Sequence, residues 1–130
     1  MPGSQQAYNP GTGAFTQAAQ NQDLTGPFSL HSAAADTSVN LAVPGRRLIT
    51  YAGALAIVLP VPVAGQDDGK YFLFISTGAY AHTFTATGIL NTGAAAVNTA
   101  TFAAHAGCSL LLMCFNAQWY VVYSNGASFS

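Results

Sequence analysis

An all-β fold, a small antiparallel sandwich or barrel carrying an extended N-terminal arm, is predicted by three features of the sequence. From Thr37 onward apolar residues recur with a period of two, the signature of half-buried strands. Gly, Pro, Asn and Asp interrupt that pattern about every 8–12 residues, the spacing of short hairpin-connected strands. The chain has no glutamate and a single lysine, the residues from which helix surfaces are normally built.

Residues 1–36 stand outside the pattern and read as the arm. Met1-Pro2-Gly3-Ser4, Asn9-Pro10-Gly11-Thr12-Gly13, Asn21-Gln22-Asp23 and Thr25-Gly26-Pro27 are turn or breaker clusters. Between them Tyr8, Phe15, Leu24, Phe28 and Leu30 are isolated hydrophobes, too sparse for a core of their own. Such a segment is either a disordered tail or an arm whose bulky residues dock on a partner, and their spacing suits a groove better than solvation.

The β domain is expected over residues 37–130. Val39, Leu41 and Val43 alternate with Ser38, Asn40 and Ala42 in a first strand, which Pro44-Gly45 turns. Leu48-Ile49-Thr50-Tyr51 is the second, closed by Ala52-Gly53. Residues 55–63 are apolar on both faces, and Pro60 and Pro62 aim their missing N–H groups to one side, so this strand belongs at an edge or has one side unpaired. A turn over residues 64–69 leads into a central strand at 71–76, and residues 81–86 make another. Residues 91–99 read as a loop, and Ala100-Thr101-Phe102-Ala103 resumes the sheet. Residues 108–116 and 118–123 form a hairpin joined at Asn116-Ala117, and Ser124-Asn125-Gly126 ends the domain.

Composition narrows the function. Charged residues are 5% of the 130 residues, against roughly 25% in an ordinary soluble domain. The acids are Asp23, Asp36, Asp67 and Asp68, and the bases Arg46, Arg47 and Lys70. Three basic residues cannot meet the phosphates of a nucleic acid. The only close acids are neighbours in one turn, which excludes two-carboxylate hydrolysis. Hydrophobic residues are 51% of the chain, too many for charge-driven disorder, although 24 of them are alanines. The larger apolar side chains concentrate between Val39 and Tyr123, enough for one compact core. The most apolar run is broken by Pro60 and Pro62 and falls short of the roughly 20 residues of a helical membrane span. The N-terminal residues have neither a basic nor an apolar region, so no signal peptide is expected.

Candidate chemistry is sparse. Cys108 and Cys114 lie six residues apart on one face of a strand, about 20 Å from each other. A disulfide needs Cα atoms within about 7 Å, so both are expected as buried free thiols made in a reducing cytoplasm. His31, His82 and His105 have no acid or cysteine pattern beside them, and no zinc-ligand spacing occurs. Cys114, between Met113 and Phe115 in mid-strand, sits where cysteines are inert. No catalytic residue, metal or cofactor is expected. Asp67-Asp68-Gly69-Lys70 reads as a structural turn rather than a calcium loop, because Lys70 competes for the carboxylates. Arg46-Arg47 is either a solvated turn or a contact for an acidic patch on a partner. Alternation puts Trp119, Val121 and Tyr123 on one face and Tyr120 and Val122 on the other, a pattern fitting core or interface better than a sugar platform.

Taken in order, Gln66-Asp67-Asp68-Gly69-Lys70, the strand to Ser76-Thr77, Ala81-His82-Thr83-Phe84-Thr85, Ala100-Thr101-Phe102 and Asn116-Ala117-Gln118-Trp119-Tyr120-Val121-Val122 resemble small β-rich structural proteins of tailed bacteriophages. A DDGK turn, an AHT strand and an NGxWYV-like closing hairpin recur in that group, and Ala117 stands where its Gly is usual. The resemblance covers about residues 40–126 and leaves the arm unmatched. It implies a non-enzymatic virion protein, foremost a capsid decoration (cement) protein that trimerises on the outside of the shell and binds the major capsid protein. Head- or tail-fibre and receptor-binding modules look similar and are the alternative. Neither nucleic acid nor membrane is an expected partner.

Overall fold

Two runs, Tyr71–Ser76 and Ser109–Phe115, carry bulky apolar side chains on both faces, and they pair with each other in the middle of the sheet. Around them the computed structural model, which describes residues 28–93 and 96–130, forms an all-β curled half-barrel. The strands are β1 (Phe28–His31), β2 (Gly45–Ile49), β3 (Ala56–Leu59), β4 (Tyr71–Ser76), β5 (Thr83–Asn91), β6 (Ala96–Phe102), β7 (Ser109–Phe115), β8 (Gln118–Asn125) and β9 (Ala127–Phe129). The described residues contain no helix.

The strand order is β1-β2-β4-β7-β8-β5-β6-β9, with β3 paired to β5. β5 takes β3 as its neighbour over Thr83–Ala86 and β8 over Leu90–Asn91, so the sheet bends where β3 gives way to β8. Trp119 on β8 closes that bend by donating its indole N–H to the Pro60 carbonyl, 2.8 Å away at the end of β3. The concave side is the core. Phe74 on β4 meets Phe84 on β5 at 4.9 Å between ring centroids, Phe84 meets Phe102 on β6 at 4.9 Å, and Trp119 stands edge-on to Phe72 at 5.4 Å. All five rings are buried, each contributing about 1.5–3 kcal/mol of transfer free energy.

Several elements differ from expectation. The pairing is mixed rather than wholly antiparallel: β1–β2, β2–β4, β3–β5 and β5–β8 are parallel. For β2–β4 this follows from β3, which crosses to the opposite wall of the core between them and so returns the chain in the same direction. The sheet already includes Phe28, nine residues before the expected boundary at Thr37, because β1 adds to β2 in register from Phe28–Arg46 to His31–Ile49. The expected strand over residues 38–43 is a single Ser38–Val58 bridge followed by a turn. There the Asn40 side chain accepts the Ala42 N–H (2.9 Å) and its carbonyl accepts the Val43 N–H (3.1 Å), so local bonds displace the ladder. Gly45-Arg46-Arg47 is strand, not turn, and Thr50 and Tyr51 fall outside it. β6 starts inside the expected 91–99 loop. The sheet also continues past Gly126, whose left-handed backbone (φ 78°) lets β9 double back onto β6. A Cβ at Gly126 would lie 2.6 Å from the Cys108 sulfur, so any side chain there would strain the backbone and displace that thiol.

The β7–β8 hairpin turns through Asn116 (φ 52°) and Ala117 (φ 62°), both left-handed, the geometry that matches strand twist in a two-residue loop. Asparagine tolerates this region and alanine does not, at a cost of about 1 kcal/mol. Replacing Ala117→Gly is therefore expected to stabilise the fold by about 1 kcal/mol, seen as a rise of a few degrees in the calorimetric midpoint; an unchanged or lower midpoint would show the turn to be unstrained. Removing residues 1–36 strips β1 from the sheet and His31 from the core, and circular dichroism is expected to record a lower midpoint of thermal unfolding. An unchanged midpoint would make β1 dispensable.

Candidate interaction face

Alternation along the strands assigns every second side chain to the convex outer side of the limb β1-β2-β4-β7-β8. On β4 these are Tyr71, Leu73 and Ile75, and on β7 Ser109, Leu111, Met113 and Phe115, since Phe72, Phe74, Leu110, Leu112 and Cys114 are the buried alternates. β2 presents Arg46 and Leu48, and β1 presents Phe28 and Leu30. Register lines these residues into rows across the sheet. One row runs Phe28, Arg46, Leu73, Leu111, Tyr123; the next runs Leu30, Leu48, Ile75, Ser109, Asn125; a third holds Tyr71, Met113 and Tyr120. Phe28, Leu30, Phe115 and Tyr123 are each more than half exposed. The only charged side chain in these rows is Arg46, whose guanidinium lies over the Phe28 ring at 5.7 Å.

Tyr123 reaches this face through an irregularity. The β7–β8 register shifts between Leu111 and Leu112, so that Leu112 opposes Val121 while Leu111 opposes Tyr123, and Val122 is the extra residue. The bulge puts Tyr123 beside Tyr120 on the outer side and separates it from Trp119, against the expected grouping of Trp119, Val121 and Tyr123. Trp119 is fully buried, with its N–H bonded to Pro60, and offers no stacking platform.

The other expected site residues fall into three groups. Tyr8, Phe15 and Leu24 lie outside the described residues. Phe28 and Leu30 are exposed on the outer face, as members of β1. Arg47 points into the core, unlike Arg46: its Nη2 donates to the carbonyls of Asn40 (3.0 Å) and Val43, and its guanidinium packs over Phe72 at 5.4 Å. Burial pulls its pKa below the ordinary guanidinium value. It anchors the 40–43 turn and is not exposed to a partner.

The Asp67-Asp68-Gly69-Lys70 segment is a structural turn that stitches three strands' ends together. Asp67 is buried, accepts the Val63 N–H (2.7 Å) and pairs with the Lys70 ammonium (2.7 Å), which also donates to the Leu41 carbonyl (2.9 Å). Burial raises the Asp67 carboxyl, but the hydrogen bonds from Lys70 and Val63 outweigh it and hold the pKa below the usual range. Asp68 accepts the Asn116 N–H (2.8 Å), and Gly69, with φ 84°, donates its N–H to the Cys114 carbonyl (2.7 Å). The turn thus fixes the end of the β7–β8 hairpin.

The described residues hold no cluster of three or more His, Cys, Asp or Glu able to bind a metal. Cys108 and Cys114 are free and buried. Burial, with a smaller push from Asp67, drives the Cys114 thiol up to about 12, far from the range of a nucleophile at neutral pH. His31 and His82 are both buried. His31 donates Nδ1–H to the Asp36 carbonyl (2.8 Å), and Asp36 in turn accepts the Ser32 and Ala33 N–H groups, which lower its pKa. His82 accepts the Leu55 N–H at Nδ1 (3.0 Å), which fixes its proton on Nε2. These histidines hold chain segments rather than a substrate. No helix among the described residues is long and apolar enough to cross a membrane.

No protein-family model and no curated protein matches the chain. Among solved structures, the StcE(132-251) fragment of enterohemorrhagic E. coli aligns over 75% of this chain and 90% of that one, at 18% identity and a TM-score of 0.40. A likeness that distant bears on neither family nor function.

Burial, reinforced by His31, lowers the His82 pKa from its ordinary value of 6.5. The unfolded chain therefore gains a proton on this ring at a pH where the folded chain resists it. Stability is expected to be full above about pH 6.5 and to decline as pH falls toward the folded-state pKa. Denaturant titrations between pH 7.5 and about 5 would record the decline, and a His82→Gln variant would lose its contribution. A flat profile in the wild-type chain would show that His82 keeps its ordinary pKa when folded.

Proposed function

We propose that this chain is a non-enzymatic structural protein that works by assembly, specifically a capsid decoration (cement) protein that binds the major capsid protein on the exterior of a phage head as a homotrimer. The outer face of β1-β2-β4-β7-β8 carries the assembly reading. Its rows of Leu, Ile, Met, Phe and Tyr are contiguous across five strands, and contiguous apolar patches of this kind mark interaction surfaces rather than free solvent surface. Seven charged residues in the whole sequence support the same reading, since charge is what normally keeps a free protein soluble and apart from its neighbours. Burial of His31, His82, both cysteines and Asp67 inside structural contacts argues against an enzyme.

The phage assignment rests on the resemblance of the turn and hairpin sequences. Those residues are the ones that set the fold here, with Asp67 to Lys70 holding Val63, Leu41 and the β7–β8 turn. The fibre or receptor-binding alternative draws on Tyr120 and Tyr123, which share one face and present aromatic rings of the kind that stack on sugars. Decoration predicts saturable co-sedimentation of the purified chain with heads of the encoding virus that lack it, together with heads more resistant to heat. Leu111→Lys is expected to abolish that binding. Wild-type chain that ignores heads and sediments with tails instead would replace decoration by the fibre reading.

A further inference from the structure

We infer, independently of the assembly reading above, that β3 is an acid-gated strand: ring nitrogens pin it at both ends, and protonation of His82 frees the Leu55 end while the Trp119 end stays fastened. At the near end the Leu55 peptide is clamped twice. Its N–H donates to His82 Nδ1 (3.0 Å), and its carbonyl accepts the Thr83 N–H (2.9 Å). At the far end the Trp119 indole N–H donates to the Pro60 carbonyl (2.8 Å). One pin is a titratable imidazole, and the other is an indole that does not titrate.

The near pin admits one protonation state. An imidazole accepts at Nδ1 only while that nitrogen is bare, and an imidazolium donates from both nitrogens. A proton added to His82 therefore turns an Nδ1–H against the Leu55 N–H and cancels the bond. The closed ring finds no compensation at its other nitrogen, because Nε2 is buried with no hydrogen-bond partner among the described residues. Its ring neighbours are Phe102 of β6 and Tyr80 of the preceding loop, each 6.3 Å away between centroids, and the charge that bears on it is that of His31 on β1, of like sign. His31 escapes the same conflict. Its Nδ1 already donates, to the Asp36 carbonyl, and that bond survives a second proton on the ring.

The pairing decides which side gives way. β5 is held by β6 over Thr83–Thr85, and the His82 carbonyl accepts the Phe102 N–H (2.8 Å). β3 has a four-residue ladder with β5, and on its other side it meets Ser38 at an isolated bridge, where the Val58 N–H donates to the Thr37 carbonyl (2.8 Å). It is entered through the irregular residues 50–55 and followed by Pro60 and Pro62, whose fixed φ stiffens the fastened end. The strand can thus swing outward from Leu55 about Pro60, carrying Leu55 and Ile57 out of the core. An opening of this extent is a local unfolding event that leaves β4, β7 and β8 paired.

Amide hydrogen exchange followed by NMR on the full chain at pH 7.5 and 5, each rate corrected for its intrinsic pH dependence, tests the gate. Leu55 amide protection is expected to fall about ten- to thirtyfold, the gain open to a freed ring of ordinary pKa 6.5. The Ser76 and Cys114 amides, bonded to Cys108 and Lys70, and the Trp119 indole are expected to stay more protected than Leu55 at both pH values. His82→Asn puts a carbonyl oxygen where Nδ1 stood, an acceptor that does not titrate, and is expected to hold Leu55 equally at pH 7.5 and 5. The wild-type comparison decides alone should that variant not fold. Leu55 protection that is the same at both pH values overturns the inference. So does a Leu55 amide that exchanges no faster than Ser76, Cys114 and the Trp119 indole, since β3 would then leave only with the whole sheet. A His82→Asn chain that keeps the wild-type pH response overturns it as well.

Discussion

A strand that is apolar on both faces cannot be satisfied by a single layer, and β4 and β7 are such strands. Their inward residues, Phe72, Phe74, Leu110, Leu112 and Cys114, are covered when the sheet curls and brings β5 and β6 across. Their outward residues have no second layer from the described part of the chain. The rest of the molecule follows from this constraint. The inner face dictates the curl, the β3 crossover and the parallel pairs that the crossover creates. The outer face leaves its alternates partly exposed, so water meets the same aliphatic chemistry there that it is excluded from within.

With so few charges, the protein spends them inside. Arg47, Asp67 and Lys70 bond backbone groups that no ladder satisfies: the carbonyls of Asn40, Val43 and Leu41 and the N–H of Val63. His31 and His82 do the same for Asp36 and Leu55. Each tether fixes an irregular connection against the regular sheet, where apolar contacts alone would not select one path for the loop. Among the described residues these five side chains act as splints rather than as surface groups, unlike most charged residues.

The all-β class, the central position of β4, the turn at residues 64–69 and the β7–β8 hairpin were legible in the sequence because each depends on local chemistry. The alternation of 71–76 and 109–115 also held the outer face, since both sets of alternates are largely apolar. Parallel pairing was not legible. It is set by where the connections cross the core, a matter of which distant strands meet, and nothing within a single strand encodes direction. Alternation misled at residues 38–43, where the Asn40 side chain competes for the backbone, and at Tyr123, where the bulge at Val122 inverts the faces. The adjacent arginines looked equivalent, yet strand geometry sends Arg46 outward and Arg47 into the core.

The turn at Asn116-Ala117 has a consequence for the rate of folding. Most pairings of this sheet join distant residues, as when Arg46 meets Leu73 or Phe74 meets Leu110, and such closures are slow because chain entropy is lost before contacts repay it. The β7–β8 hairpin is one of the two antiparallel pairs between successive strands, and the Asp68 and Gly69 bonds to Asn116 and Cys114 make it the template on which β4 docks. A left-handed alanine at its tip raises the barrier to forming that template, while leaving the finished molecule hard to reopen. The same residue thus prolongs the interval in which strands apolar on both faces are newly made and uncovered, and the chain emerges slowly into a state that, once closed, persists.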